Sequence, residues 1–324
     1  MRKEPFILFI TFFFCLTSYS QDTLHQKTVT DTTDISKLLE EQLKSENENK
    51  TQFITATFKT TRLIDGHSVE NTAKGVLDFK ISHRFGPFSS GPSESFGFDE
   101  AKMRIGFDYG ITNRLMIGIG RSTDQGKICD GFLKWKIVRQ STGKVNVPVT
   151  INYIAGVALQ SASIPTPVDS VAQLQLKHFK AHYSNRLSFV HQFIIGRKFS
   201  EALSLQIMPT LVHRNFSQDG GPNNVYAIGI GGRQKLNKRT SFNAEYYYQL
   251  PESKVPGSKN VLSLGFDIET GGHVFQLQIT NSMSMTESTF ITGNKNGSRP
   301  NGGMRFGFNI SRVFSLGKKH TKEW

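Results

Sequence analysis

The chain has 324 residues and a formal net charge of +13, from 39 basic and 26 acidic side chains. Only 37% of its residues are hydrophobic, and no segment after the first twenty approaches the roughly 18 uninterrupted apolar residues of a membrane-spanning helix, which excludes a helical membrane protein. Two cysteines, Cys15 and Cys129, exclude a disulfide framework.

Arg2 and Lys3, an apolar run from Phe6 to Leu16, and small residues at Ser18 and Ser20 have the layout of a cleavable secretory signal over residues 1–20. Acylation at Cys15 is disfavoured by Phe12, Phe13 and Phe14 before it and Leu16 after it. Export makes nucleic acid an unsuitable partner for the basic balance. It points instead to membrane lipid, lipopolysaccharide and small anionic solutes, with a merely solvated basic surface as the alternative. No protein partner is specified. Residues 21–52 read as a flexible periplasmic lead-in, polar and rich in Thr, Asp, Glu and Asn.

Beyond residue 52 the texture becomes period-two alternation. Residues 53–60 alternate too, but stand apart from the rest: they could fold into a lumen, lie beneath a barrel or add to the strand count. The clearest strands separate by parity. Met103, Ile105, Phe107 and Tyr109 oppose Lys102, Arg104, Gly106 and Asp108. Leu262, Leu264, Phe266 and Ile268 oppose Ser263, Gly265, Asp267 and Glu269. Phe275, Leu277 and Ile279 oppose Gln276, Gln278 and Thr280, and Met304, Phe306, Phe308 and Ile310 oppose Arg305, Gly307, Asn309 and Ser311. Similar segments lie near 74–85, 114–122, 130–139, 145–158, 187–198, 202–213, 224–235 and 240–250, of which 187–198 and 224–235 alternate poorly.

Together these make about twelve strands of roughly ten residues, the length a tilted strand needs to cross a bilayer. The connections themselves alternate. Tight ones fall at 111–113, 141–144, 200–201, 237–239 and 271–272, and long ones at 86–100, 123–129, 159–186, 214–223, 251–259 and 284–301. That rhythm is the short periplasmic turn and long external loop of an outer-membrane barrel. The expected fold is all-β, a single antiparallel up-and-down transmembrane barrel over residues 53–316, followed by a basic tail at 317–324. A water-soluble β-sandwich is the competing fold; charged residues on the inward parity of nearly every strand and the run of short hairpins speak against it. In the last strand, Arg312 interrupts an otherwise apolar row.

The chain also resembles a family of bacterial outer-membrane β-barrel proteins catalogued as a domain of unknown function. The residues that carry the likeness are Thr60–Ser68, His83–Gly86, Asp108–Thr112, Ile117–Ser122 and Asp130–Lys136, within a stretch of about 53 to 316. The resemblance implies a barrel and an outer-membrane address, and carries over no catalytic residue.

A search for chemistry yields little. His-Glu-x-x-His, Gly-x-x-x-x-Gly-Lys and Gly-x-Ser-x-Gly do not occur. Gly118-Ile119-Gly120 and Gly229-Ile230-Gly231 lack the third glycine of a dinucleotide site and read as relief of crowding inside a barrel. His178 and His182 have no companion ligand nearby, and Met283 and Met285 lie in a polar loop. His83, Arg84, Ser188 and His191 do not converge, because parity places both histidines on lipid-facing rows. The expectation is a non-enzyme without cofactor or metal.

The inward parity collects Lys80, Arg84, Lys102, Arg104, Arg114, Lys134, Lys136 and Arg305 against Asp78, Asp108, Glu245, Asp267 and Glu269. Two functions follow. One is a narrow, weakly anion-preferring pore or small-ligand site, with a self-paired, plugged interior as its counterpart. The other is a non-conducting scaffold that binds a partner or surface polymer through loops 159–186 and 284–301.

Overall fold

The computed structural model describes residues 36–37, 49–123, 127–161, 173–174, 177, 182–217, 220–294 and 303–316. The chain divides into two units, Met1–Glu46 and Asn47–Trp324, and in the first only Ser36 and Lys37 are described. The expected signal, the basic tail and His178 lie outside the described residues.

Each of the twelve alternating segments expected beyond residue 73 becomes a strand of the wall, though the one read from residue 145 begins only at Thr150; residues 54–60, which also alternate, do not. The elements of the second unit are β1 (Thr51–Phe53), β2 (Val76–Pro87), β3 (Ala101–Gly110), β4 (Leu115–Ser122), β5 (Ile128–Val138), β6 (Ser141–Gly143) and β7 (Thr150–Gln160). They continue with β8 (Leu187–Lys198), β9 (Leu203–Arg214), β10 (Asn224–Lys235), β11 (Thr240–Gln249), β12 (Val261–Thr270), β13 (His273–Thr280), a short helix α1 (Glu287–Thr292) and β14 (Arg305–Ser315). Twelve of the strands, all but β1 and β6, close into one antiparallel barrel in chain order. Closure is made by β14 on β2, where Phe308 faces His83 and Ile310 faces Ile81. It leaves no unpaired edge, as hydrocarbon requires.

The two faces separate as parity demands. Ile105, Phe107, Ile119, Leu205, Ile207, Leu264, Phe266 and Leu277 are exposed on the outside, while Arg104, Asp108, Lys134, Ser263 and Gln278 are buried inside. Among the described residues no helix is long and apolar enough to cross a membrane; the strands present the outward apolar surface. Short turns gather at one end of the barrel. At Gly271-Gly272 both residues have positive φ, +43° and +121°, as a two-residue hairpin of this kind requires. Arg312 sits at this end, its guanidinium 5.0 Å from the centre of the Phe314 ring, so the basic residue in the last apolar row reaches along the wall to its rim.

The tight turn expected at 141–144 is instead a longer connection, between Val138 and Thr150. Its β6 residues pair with β1: Thr51 faces Gly143 and Phe53 faces Ser141, and the Arg139 guanidinium covers the Phe53 ring at 4.2 Å. That small ribbon pins the chain at the short-turn end immediately before residues 54–73, and fixes where they enter.

Candidate functional site

Residues 54–73 add no strand to the wall. They rise into the barrel and return to β2. Their summit is a tight hairpin in which the Leu63 amide donates to the Gly66 carbonyl at 2.8 Å and the Ser68 amide to the Thr61 carbonyl at 3.0 Å. Thr57, Phe58, residues 60–65 and residues 67–69 are all less than a tenth exposed.

A backbone stretch without a ladder must satisfy its amides and carbonyls through side chains, and the wall provides them. The Glu245 carboxylate accepts from the Gly66 amide at 2.9 Å and the Ile64 amide at 3.2 Å. Gln276 donates to the Leu63 carbonyl at 2.9 Å, Asn309 to that of Ile64 at 3.1 Å, Gln206 to that of His67 at 2.8 Å and Asn152 to that of Val69 at 3.1 Å. Lys134 reaches the Thr61 and Glu70 carbonyls, Arg233 those of Ala56 and Thr57, and Lys198 that of Thr55. The Thr61 hydroxyl donates to Asp108 at 2.9 Å and accepts from Lys80, the Thr72 amide reaches the Met116 sulfur at 3.3 Å, and Ser263 donates to Asp65. Every one of the twelve barrel strands therefore contributes a hydrogen bond to this segment.

Its shape is matched as well as its polarity. A Cβ built on Gly231 would lie 2.3 Å from Leu63 Cδ2, and one on Gly196 would lie 2.6 Å from Val69 Cγ1. On the other wall, a Cβ on Gly118 would strike the Phe132 ring at 2.3 Å and one on Gly120 the Arg104 guanidinium at 2.2 Å. The paired glycines therefore make room inside the barrel, as expected, and two of the glycine positions receive the inserted segment. Phe58, Leu63, Ile64 and Val69 pack with the inward Ile154, Val190, Ile194, Met208, Val225 and Ala227 into one apolar cluster. This explains the poor alternation of 187–198 and 224–235: those strands are apolar inside because their inner face meets protein.

The other end is covered too. Residues 281–294 turn inward, and α1 buries Phe290 and Ile291, with Phe290 edge-on to Tyr247 at 5.0 Å. The Glu287 carboxylate accepts from the Arg62 guanidinium at 2.9 Å. The part of loop 284–301 that was expected to recognise a partner is thus, up to Asn294, mostly packed against the barrel interior; residues 295–301 lie outside the described ones. His67 stacks edge-on against Phe132 at 4.4 Å, and burial, with the charges of Arg62, Lys134, Lys80 and Arg104, holds its pKa well below the usual 6.5.

Lys80 is paired with Asp108 and, at 3.3 Å, with Asp78, which also accepts from Ser311. Arg84 donates to Asp65 at 2.6 Å and to Asn309 at 3.0 Å. Arg104 forms a two-pronged pair with Asp130. Lys136 lies 3.9 Å from Glu70, Glu269 is paired with Lys59, and Asp267 accepts from Gln276 at 2.9 Å. Arg305 and Lys102 stand on inward rows near the long-loop end, Arg305 donating to the Gly303 carbonyl at 3.3 Å. Arg114 is exposed in the β3–β4 turn and does not face the interior. Three wall cations meet carboxylates that the count omitted, Arg84 with Asp65 and Lys136 with Glu70 on the inserted segment and Arg104 with Asp130, while Glu287 on α1 pairs with Arg62 of the segment itself. Asp130 shares the parity of Lys134 and Lys136, so the pattern could have found it; the other three lie outside any strand.

Tyr153 and His191 are hydrogen-bonded at 2.7 Å on outward rows, and His83 lies on one too, stacked against Phe308 at 5.1 Å. The imagined hydrolase grouping does not assemble. Among the described residues no cluster of histidine, cysteine and carboxylate could hold a metal.

A family model described as "Membrane bound beta barrel domain (DUF5777)" matches residues 58–314. The search of curated proteins gives no match. Solved structures similar in outline include the KdgM porin, at 10% identity and a TM-score of 0.44, covering 74% of this chain and 99% of that one. A second structure of KdgM, in complex with disordered oligogalacturonate, gives 10% identity and a TM-score of 0.45 over 74% and 99% of the two chains. The Acinetobacter baumannii outer membrane protein Omp33 gives 7% and 0.38 over 74% and 97%.

Proposed function

Because the chain belongs to the membrane bound beta barrel domain family, we propose that it is an outer-membrane barrel closed along its axis by its own residues 54–73 and non-conducting in this conformation. The observation that carries the reading is that all twelve wall strands hydrogen-bond to the inserted segment. A segment held so widely is a built part of the interior. Lys80, Arg84, Lys134, Glu245 and their neighbours then serve to hold it, and do not select a passing anion. Lys80 and Arg84 pair with Asp78, Asp108 and Asp65, while Lys134 and Glu245 are engaged by backbone carbonyls and amides of the segment, which weakens the field an anion-preferring channel needs.

In this reading residues 1–20 direct export, residues 21–52 lie in the periplasm, and the long loops face outward. Membrane lipid and lipopolysaccharide are the surroundings of the outward rows. Closure at both ends favours a barrel without catalysis whose traffic, if any, requires a ligand or partner to move a closing element. Purified protein in planar bilayers tests this: the intact chain is expected to be electrically silent and a variant lacking residues 57–70 to conduct. Steady conductance by the intact chain overturns it.

A further inference from the structure

The ladder between β8 and β9 is interrupted once, with no change of register. Partner pairs run from Ser188 and Arg214 to Gln192 and Thr210, and resume at Ile195 and Ile207; Phe193 with Pro209 and Ile194 with Met208 form none. Pro209, near the middle of β9, is the cause. In an antiparallel ladder both missing pairs depend on a bond from the amide of residue 209 to the Phe193 carbonyl, and proline has no N–H to give. Toward β10 the ladder is intact, because there Pro209 faces Ile228 as a non-hydrogen-bonded pair. Phe193 is half exposed on the lipid-facing side, where hydrocarbon offers no substitute donor. The wall therefore lacks one ladder bond there, in the middle of two membrane strands.

Behind this seam the interior is apolar. Ile194 and Met208, the inward residues of the missing pair, are fully buried in the cluster that includes Val190 and Ile154. Val190 and Ile154 also border a cavity of about 20 Å³ between β5, β7, β8 and the start of α1, room for about one water. The cavity lining is mixed: Phe132, Ile154 and Val190 are apolar, and Asp130, His67, Glu287 and Ser288 are polar, Asp130 being paired with Arg104 and Glu287 with Arg62. His67 Nδ1 and Ser288 Oγ are buried without a hydrogen-bond partner. Gln192, whose amide donates to Thr210 at 2.8 Å, is the polar residue between Val190 and the seam.

We propose that the β8–β9 seam at Pro209 is a lateral passage through which a single-chain amphiphile moves between the bilayer and this cavity, its alkyl chain passing Phe193 and Ile194 and its polar head meeting His67 and Ser288. The proposal rests on the axial route being closed, so that lateral entry is the remaining one. The cavity admits little until the strands part, and the bond missing at Pro209 lowers the cost of parting.

The test uses full-length protein in liposomes containing palmitic acid that bears a diazirine at its chain end, with photolabelled residues located by mass spectrometry. Label is expected on the inward Ile154, Val190 or Ile194 as well as on outward residues. A disulfide between I195C and I207C, across the seam, is expected to abolish inward label and leave outward label in place; its reduction restores entry. A disulfide between L264C and I279C, across the intact β12–β13 ladder, leaves inward label unchanged. P209V, which restores the N–H, lowers it. Inward label that is absent from the intact chain, or unaffected by the seam disulfide, or equally reduced by the control disulfide, overturns the proposal. Conductance of the same preparation reports separately on axial closure.

Discussion

Arg62 and Glu287 meet inside the barrel at 2.9 Å, one from the segment that enters at the short-turn end and the other from the loop that enters at the opposite end. Both side chains are less than a tenth exposed, so the two closures of the lumen are joined by a buried ion pair. Such a pair contributes little over an apolar replacement of the same shape. Its half-removal is costly, because a charge is left buried without its partner.

The first prediction follows from that asymmetry. E287M leaves Arg62 uncompensated and R62M leaves Glu287 so, and each is expected to destabilise the closed interior by roughly 3–5 kcal/mol. The double variant recovers most of the loss. Amide exchange of residues 61–68 in detergent micelles measures it: fast exchange in each single variant and slow exchange in the pair. Additive losses in the pair rule out direct coupling.

A second prediction concerns the summit of the segment. Glu245 accepts from two amides, Ile64 and Gly66, and each buried donor left without a partner costs about 1–3 kcal/mol. E245A is expected to loosen the hairpin and give intermittent conductance in planar bilayers. E245Q keeps a carbonyl acceptor and stays closer to silent. Equal behaviour of the two variants would falsify the assignment of Glu245 as the anchor of the summit.

Much of the barrel was legible before any coordinate, because a bilayer forces a rule onto each strand: alternate residues must face oil. Met103, Ile105 and Phe107 obey it against Lys102, Arg104 and Asp108, and the strand bounds at 187–198 and 224–235 match to the residue. Residues 54–73 answer to no bilayer, and the alternation read over 53–60 did not become a strand. Their partners are scattered single side chains such as Glu245, Gln276 and Asn309, each satisfying one or two backbone groups, and that arrangement imposes no period on the sequence. The inward charges were visible by parity, but not their purpose, since Asp65, Glu70 and Glu287 come from outside the strands. Where alternation failed, at Val190, Ile194, Val225 and Ala227, the failure itself marked the wall that the segment packs against.

The glycines give a third prediction. Gly231 has its Cβ position 2.3 Å from Leu63 Cδ2, closer than any real contact allows. G231A is therefore expected to destabilise the inserted segment without opening the barrel, seen as protease sensitivity of residues 54–73 with unchanged heat-modifiable gel mobility. L63A removes the clashing methyl and, combined with G231A, restores resistance. Gly257, whose Cβ position has nothing within 4 Å but whose φ is +72°, is the contrasting site: substitution there strains only its own loop.

The last prediction is a dependence on pH carried by His67. Burial, reinforced by Arg62 and Lys134, holds its pKa below the ordinary 6.5, so the closed interior favours the neutral ring. A group whose pKa is lowered on folding contributes stability fully above its free value and loses it as pH falls from about 6.5 toward the lowered one. Acidification from pH 7.5 to 5 is thus expected to speed amide exchange at residues 61–68, since a proton on His67 would place a cation beside Arg62 and Lys134, and the carboxylate 3.7 Å away, Glu287, is already paired with Arg62. H67Q retains a polar side chain of similar reach and cannot be protonated in this range. Its exchange should change less between the two pH values, even though it loses the ring contact with Phe132 and starts faster. If H67Q and the unaltered chain respond to acid alike, the proton is taken up elsewhere, and His67 is held neutral without governing the closure.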